Sequence, residues 1–205
     1  MLDDILAFIA PHHCYLCQKT GPILCDCCKN YILQQQKPGR FNFQQFQADD
    51  QIFFIDNRQS VLKEIIYDYK LHSRRAYGRV FAQIIAHHLP KDQSLVIVPA
   101  PTMRKSRAQR GFSHIELIAD ELAKMGFASQ HLLVNQSSVA QKDLDASKRQ
   151  ANVKANLKCL RPVDPALKYI VIDDITTTGS TLNQARQVLK QAGAKRVACL
   201  ALIHA

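Results

Sequence analysis

From residue 52 onward, apolar positions follow two alternating rhythms. Short unbroken runs at Ile52–Ile55, Leu95–Val98, Tyr169–Ile172 and Val197–Ile203 have the length of buried strands, and His131–Val134 reads as a shorter one. Between them apolar residues recur at helical spacing. Val61, Leu62, Ile65, Ile66 and Tyr69 mark a helix over 60–69, and 76–89 marks a second. Ile115, Ile118, Leu122 and Met125 mark a third, which Ser113 and Glu116 start as a capping box and Gly126 ends. Leu182, Ala185, Val188 and Leu189 mark a fourth, closed by Gly193. Strands alternating with helices predict an α/β fold, a parallel sheet with helices on both faces. In such sheets ligands sit beyond the carboxyl ends of the strands.

The first fifty residues follow neither rhythm. Residues 3–10 predict one short amphipathic helix ended by Pro11, and the polar stretch 34–51, with Pro38 and Gly39, predicts a linker. The chain is therefore expected to divide into a module over 1–50 and a main domain over 51–205.

Five of the seven cysteines fall within 14–28. An odd total crowded into so short a stretch argues for metal binding rather than a disulfide framework. Cys14, Cys17, Cys25 and Cys28 form two Cys-x-x-Cys units, the donor set of a closed, structural zinc site. Cys27 is an alternative ligand in the second unit, and His12 and His13 are close enough to compete. Two Cys-x-x-Cys pairs without a clear βαβ context disfavour a redox module. Cys159 and Cys199 read as small core residues.

Charge is uneven. The chain carries +10 overall, and residues 61–110 hold ten Lys and Arg against three Asp and Glu. A segment of that sign suits a polyanion such as nucleic acid or a diphosphate, or else a solvated surface. The knuckle region has only Lys19 and Lys29, so stapling suits its metal better than DNA contact. No apolar run approaches the ~20 residues of a membrane span, and the N-terminus is acidic where a secretory signal is basic. A cytoplasmic protein is expected.

The richest chemistry lies at 169–182, where the run Tyr169–Ile172 meets Asp173 and Asp174 and then a hydroxyl-rich turn. Adjacent acids can grip vicinal sugar hydroxyls, directly or through a metal ion. Thr176, Thr177, Thr178, Gly179, Ser180 and Thr181 offer hydroxyls and backbone N–H groups at a helix start, which suits a phosphate. Gly179 allows the positive φ that brings backbone close to an anion. Consecutive strand residues face opposite sides, so the two carboxylates are expected to diverge. The Gly-Lys-Ser/Thr of a nucleoside-triphosphate loop is absent. The combination describes a site for a ribose 5-phosphate.

The string from Ile170 to Thr181 resembles the phosphoribosyl-pyrophosphate (PRPP) motif of type I phosphoribosyltransferases, with Thr176 in a slot that is often aliphatic. Other segments resemble the ComF/GntX branch: Tyr67-Asp68-Tyr69-Lys70 with Arg74-Arg75, Val98-Pro99-Ala100-Pro101, Arg110-Gly111-Phe112-Ser113, and Gln141, Leu144, Arg149 and Asn152. With the cysteines, the likeness covers nearly the whole chain in order. It implies a type I phosphoribosyltransferase-like fold with the 5-phosphate in the loop 176–181. It gives Asp173 and Asp174 the catalytic place beside the ribose hydroxyls. Arg104, Lys105, Arg107 and Arg110 would meet pyrophosphate or DNA phosphate, and 137–152 would form a hood.

The implied reaction is displacement at the anomeric carbon, with Mg²⁺ and cationic side chains stabilising pyrophosphate as it leaves. The implied setting is DNA uptake, with single-stranded DNA and a competence helicase as partners at the inner face of the membrane. Val134-Asn135-Gln136-Ser137 stands where the branch usually carries an arginine, and no group for recognising a base is evident. A non-catalytic, single-strand-binding competence factor on the same scaffold is the alternative.

Overall fold

The computed structural model describes residues 13–35, 52–56, 60–72, 74–102, 111–135 and 157–204. The expected helix at 3–10, most of the linker, His12, the basic loop with Arg104, Lys105, Arg107 and Arg110, and the hood all lie outside these residues. Among the described residues the helices are α1 (Asp26–Gln35), α2 (Val61–His72), α3 (Ala76–His88), α4 (His114–Lys124) and α5 (Ser180–Gln191). The strands are β1 (Ile52–Asp56), β2 (Leu95–Pro99), β3 (Ala128–Ser129), β4 (Leu133–Asn135), β5 (Leu157–Cys159), β6 (Lys168–Thr176) and β7 (Arg196–His204).

Five strands form one parallel sheet in the order β1-β7-β6-β2-β3. The parallel sheet flanked by helices is thus as expected. Its central strands are apolar along Leu95–Val98, Tyr169–Ile172 and Val197–Ile203 because both faces are covered there. On β6, Ile170 and Ile172 face α2, α3 and α4, while Tyr169 and Val171 face α5. Ile23, Leu24 and Ile32 of the cysteine region join the first of these cores, and Lys29 donates to Gln83 of α3 at 2.9 Å. Ser113 caps α4 as read, its hydroxyl accepting from the Glu116 N–H at 3.3 Å.

Three expectations need correction. The segment read as a strand at 131–134 is β4, shifted to Leu133–Asn135, and it leaves the main sheet to pair antiparallel with β5. The strand that does extend the main sheet is the two-residue β3, too short to carry a periodic signal. The second cysteine pair opens a helix, α1, which runs into the stretch read as linker. Cys199 is a core residue, with burial pushing its thiol up to about 12. Cys159 instead sits part-buried on the outlying ribbon, its thiol donating to the Arg161 carbonyl at 3.1 Å.

Candidate functional site

β6 does not stop before the acids. It runs on through Asp173 and Asp174 to Thr176, pairing Asp173 with Ala201 and Thr176 with His204. The two carboxylates therefore sit within a paired strand and leave it on opposite sides. Asp174, 9% exposed, turns toward α2. Its Oδ1 accepts from Lys70 Nζ at 2.9 Å and from the Ile175 N–H at 2.6 Å. Lys70 lies 104 residues earlier in sequence. Asp173 continues the row of Tyr169 and Val171 toward α5, and its carboxylate accepts the Asp174 N–H at 2.8 Å. Burial, reinforced by the Asp174 charge, raises the Asp173 carboxyl to about 8, with the Asp174 N–H and Lys70 acting against it. A carboxyl pushed toward its protonated form at this strand end suits a site where a proton is taken up or released.

The turn after β6 is built from its own hydroxyls. Thr176, buried, accepts the Gly179 N–H at 3.0 Å, and Thr178 accepts the Ser180 N–H at 3.3 Å. A threonine at position 176 thus closes the turn from inside, which an aliphatic residue cannot do. Gly179 takes φ +68°, and a Cβ there would collide with Ile52 Cδ1. The turn delivers the N-terminus of α5, whose first N–H groups have no acceptor within the helix. Thr177 and Thr178 are exposed at its crest.

One residue that the sequence did not mark supports this turn, and a second lies buried in the helix that follows it. His204, at the end of β7, donates from Nε2 to the Thr177 carbonyl at 3.1 Å, while its ring lies 4.5 Å from that of Phe54. In a trans peptide the carbonyl and the next N–H point opposite ways, so this bond turns the Thr178 N–H away from His204. Arg186, buried in α5, donates from Nη2 to Asn183 Oδ1 at 2.8 Å. A lone histidine and a helical arginine carry no pattern by themselves; only the packing gives them their place.

The four cysteines of the two Cys-x-x-Cys units come together. The Sγ atoms of Cys14, Cys17, Cys25 and Cys28 lie within 4.8 Å of one another. Cys17 and Cys25 stand 3.7 Å apart, close to the ~3.8 Å edge of a tetrahedron with 2.3 Å metal–sulfur bonds. Burial pushes the Cys14 thiol up, but the backbone N–H groups of Cys17, Cys25 and Leu16 together bring it down to about 6. Cys27 is exposed outside this group, and His13 pairs in a β-bridge with Thr20 instead. Four soft donors at this spacing fit a zinc-like ion in a closed site, held without a position for substrate.

No model of a known protein family matches the chain. Among curated proteins it is similar to competence protein ComFC of Streptococcus pneumoniae, 28% identical over 143 residues that cover 70% of this chain and 63% of that protein. It is also similar to DNA utilization protein YhgH of Salmonella typhi, 34% identical over 112 residues, covering 53% of this chain and 48% of that one. The chain thus has curated homologues among competence and DNA-utilization proteins, and its matches span 63% and 48% of the lengths of these two. Among solved structures, the allosteric regulatory enzyme of purine biosynthesis aligns over 63% of this chain and 25% of its own, with 19% identity and a TM-score of 0.40.

Proposed function

We propose that this protein acts in DNA uptake and binds PRPP or a related phosphorylated ribose, with Mg²⁺, at the carboxyl end of β6. One observation carries the reading: Asp173, Asp174 and the turn 176–181 share one strand end, with Asp174 charge-paired and the turn leading into a helix N-terminus. The phosphate would meet the loop and the first amides of α5. Asp174 and Asp173 would face the ribose hydroxyls and the metal ion. Arg104, Lys105, Arg107 and Arg110 would complete the site toward pyrophosphate. The cysteine module over 1–50 would hold structural Zn²⁺ on the domain over 51–205. The names of the curated relatives support the setting in DNA uptake.

Isothermal titration with PRPP, with and without Mg²⁺, tests the reading. Asp174→Ala combined with Thr177→Ala should abolish Mg²⁺-dependent thermal stabilisation by PRPP. An unchanged shift discards the site. If turnover occurs, it is displacement at the anomeric carbon by a nitrogen nucleophile.

A second reading is a non-catalytic factor that binds single-stranded DNA, working beside a competence helicase in the cytoplasm at the membrane's inner face. It is favoured by the turn's own hydroxyls, which already accept the Gly179 and Ser180 N–H groups that a phosphate would need. Replacing Arg104, Arg107 and Arg110 should then weaken single-strand binding and flatten its salt dependence. Equal slopes before and after would reject that role for the loop.

A further inference from the structure

The side of α2 away from the core carries a pattern that neither the strand end nor the metal cluster explains. Leu62, Ile65, Ile66 and Tyr69 are fully buried. Lys63, Tyr67 and Leu71 fall within about 80° of arc on the helix. Tyr67 is 46% exposed and Leu71 76% exposed, two of the few large apolar side chains among the described residues left open to solvent. Nothing in folding asks for an aromatic ring and a leucine side by side in water one turn apart. The Lys63 ammonium lies 5.8 Å from the Tyr67 ring centre. Lys70, at the edge of this stripe, turns in to Asp174.

Cations follow α2 in the chain. Arg74, Arg75 and Arg79 are all exposed, and Arg75 lies 5.2 Å from the centre of the Phe112 ring. Arg75 and Arg79 also line an open groove of about 780 Å³ between α3 and the cysteine module, where Lys29 and Lys124 stand as well. Of the acids nearby, Asp68 is taken by the Tyr77 hydroxyl and His72, each at 2.7 Å. Asp26 and Glu121 each pair with the lysine three residues on. Glu64 is exposed at the start of α2. The uncompensated charge along the path is positive.

We infer that this face is a track for single-stranded DNA, with an unpaired base stacked on Tyr67 and Leu71 and its phosphates led past Arg74, Arg75 and Arg79 into the groove. An acidic peptide would satisfy the arginines but has no need of a solvent-facing ring between lysines. A single strand needs both, since each base brings a π-face and each linkage a charge. A duplex keeps its bases stacked and cannot use the ring. The inference rests on the DNA reading above and gives it a location the basic loop does not supply. It also gives the cysteine module a part: Lys29 stands on the groove's wall, so the metal staple sets one bank of the track.

Fluorescence anisotropy with a labelled oligothymidylate tests this, using the full chain with its metal and a salt titration for each variant. Tyr67→Ala should weaken binding about 5- to 150-fold, the range for one lost stacking contact, while Tyr67→Phe should stay within about twofold of the wild type. Arg74→Ala with Arg79→Ala should lower the slope of log affinity against log salt by about 1.4, or about 0.7 per phosphate released. Thermal midpoints should not move, because these side chains are exposed. If the wild type binds and the variants bind equally well, the track is wrong while the DNA reading stands. If the wild type does not bind, both fall. Duplex bound as tightly as single strand, or polyglutamate displacing the oligonucleotide with the same dependence on Tyr67, would also overturn the track, the latter in favour of a protein partner.

Discussion

Replacing Lys70 with methionine keeps the length of the side chain and removes its charge from Asp174. The pair joins α2 to the end of β6 at 2.9 Å, with the lysine side chain 23% exposed and the aspartate 12%. At an effective dielectric near 20, the attraction at that distance is about 6 kcal/mol before desolvation is counted. Removing one partner of a fully buried pair costs about 3–5 kcal/mol, because a lone charge stays behind. Here Asp174 keeps its bond from the Ile175 N–H, and the site is partly open to water. The expected loss is therefore about 2–3 kcal/mol, or roughly 5–10 °C in thermal midpoint for a chain of this size. Urea unfolding of Lys70→Met, Asp174→Asn and the double variant, all metal-saturated, should give a coupling energy of about 2 kcal/mol. A divalent cation should stabilise Lys70→Met more than the wild type, since Asp174 has lost its counter-charge. A coupling below about 0.5 kcal/mol, with no gain from Mg²⁺, would show that the pair does not hold the strand end as argued.

Asp173 should leave a mark on stability against pH. The folded chain holds its carboxyl up at about 8, so it keeps a proton that the unfolded chain loses near its ordinary 3.8. This group's contribution is whole below about pH 4 and is lost as pH climbs toward 8, so Asp173→Asn should gain on the wild type across that window; parallel urea midpoints would refute it. Gly179→Ala must place a side chain at φ +68° and into Ile52, so a loss of about 2–4 kcal/mol is expected in denaturant unfolding, and a neutral result would contradict the turn geometry. Purified protein should carry about one zinc per chain, and chelation or Cys14→Ser should release it and loosen the packing of Ile23, Leu24 and Ile32 in circular dichroism melts. His204→Ala should weaken inorganic phosphate binding severalfold, while His204→Gln, which restores an N–H donor, should recover it; equal affinities would remove His204 from the site.

What could be known from the residues alone was local. Apolar runs and helical spacing depend on a chain's own period, so β1, β2, β6, β7 and the helices after residue 60 were legible. The strand end with its acids and hydroxyls was legible for the same reason: those groups are contiguous. The four-cysteine cluster was too, because two spaced pairs can close together over a short span. Tertiary structure decided everything that depends on distance along the chain. It brought Lys70 to Asp174 across 104 residues and His204 to Thr177 across 27. It moved β4 out of the sheet, since three residues pair wherever a partner is offered. It carried β6 through the acids, because β7 supplied a parallel neighbour as far as Thr176 and hydrogen bonding favours pairing to the end. It set the knuckle's lysine opposite Arg75 and Arg79, a cluster that no window of sequence contains.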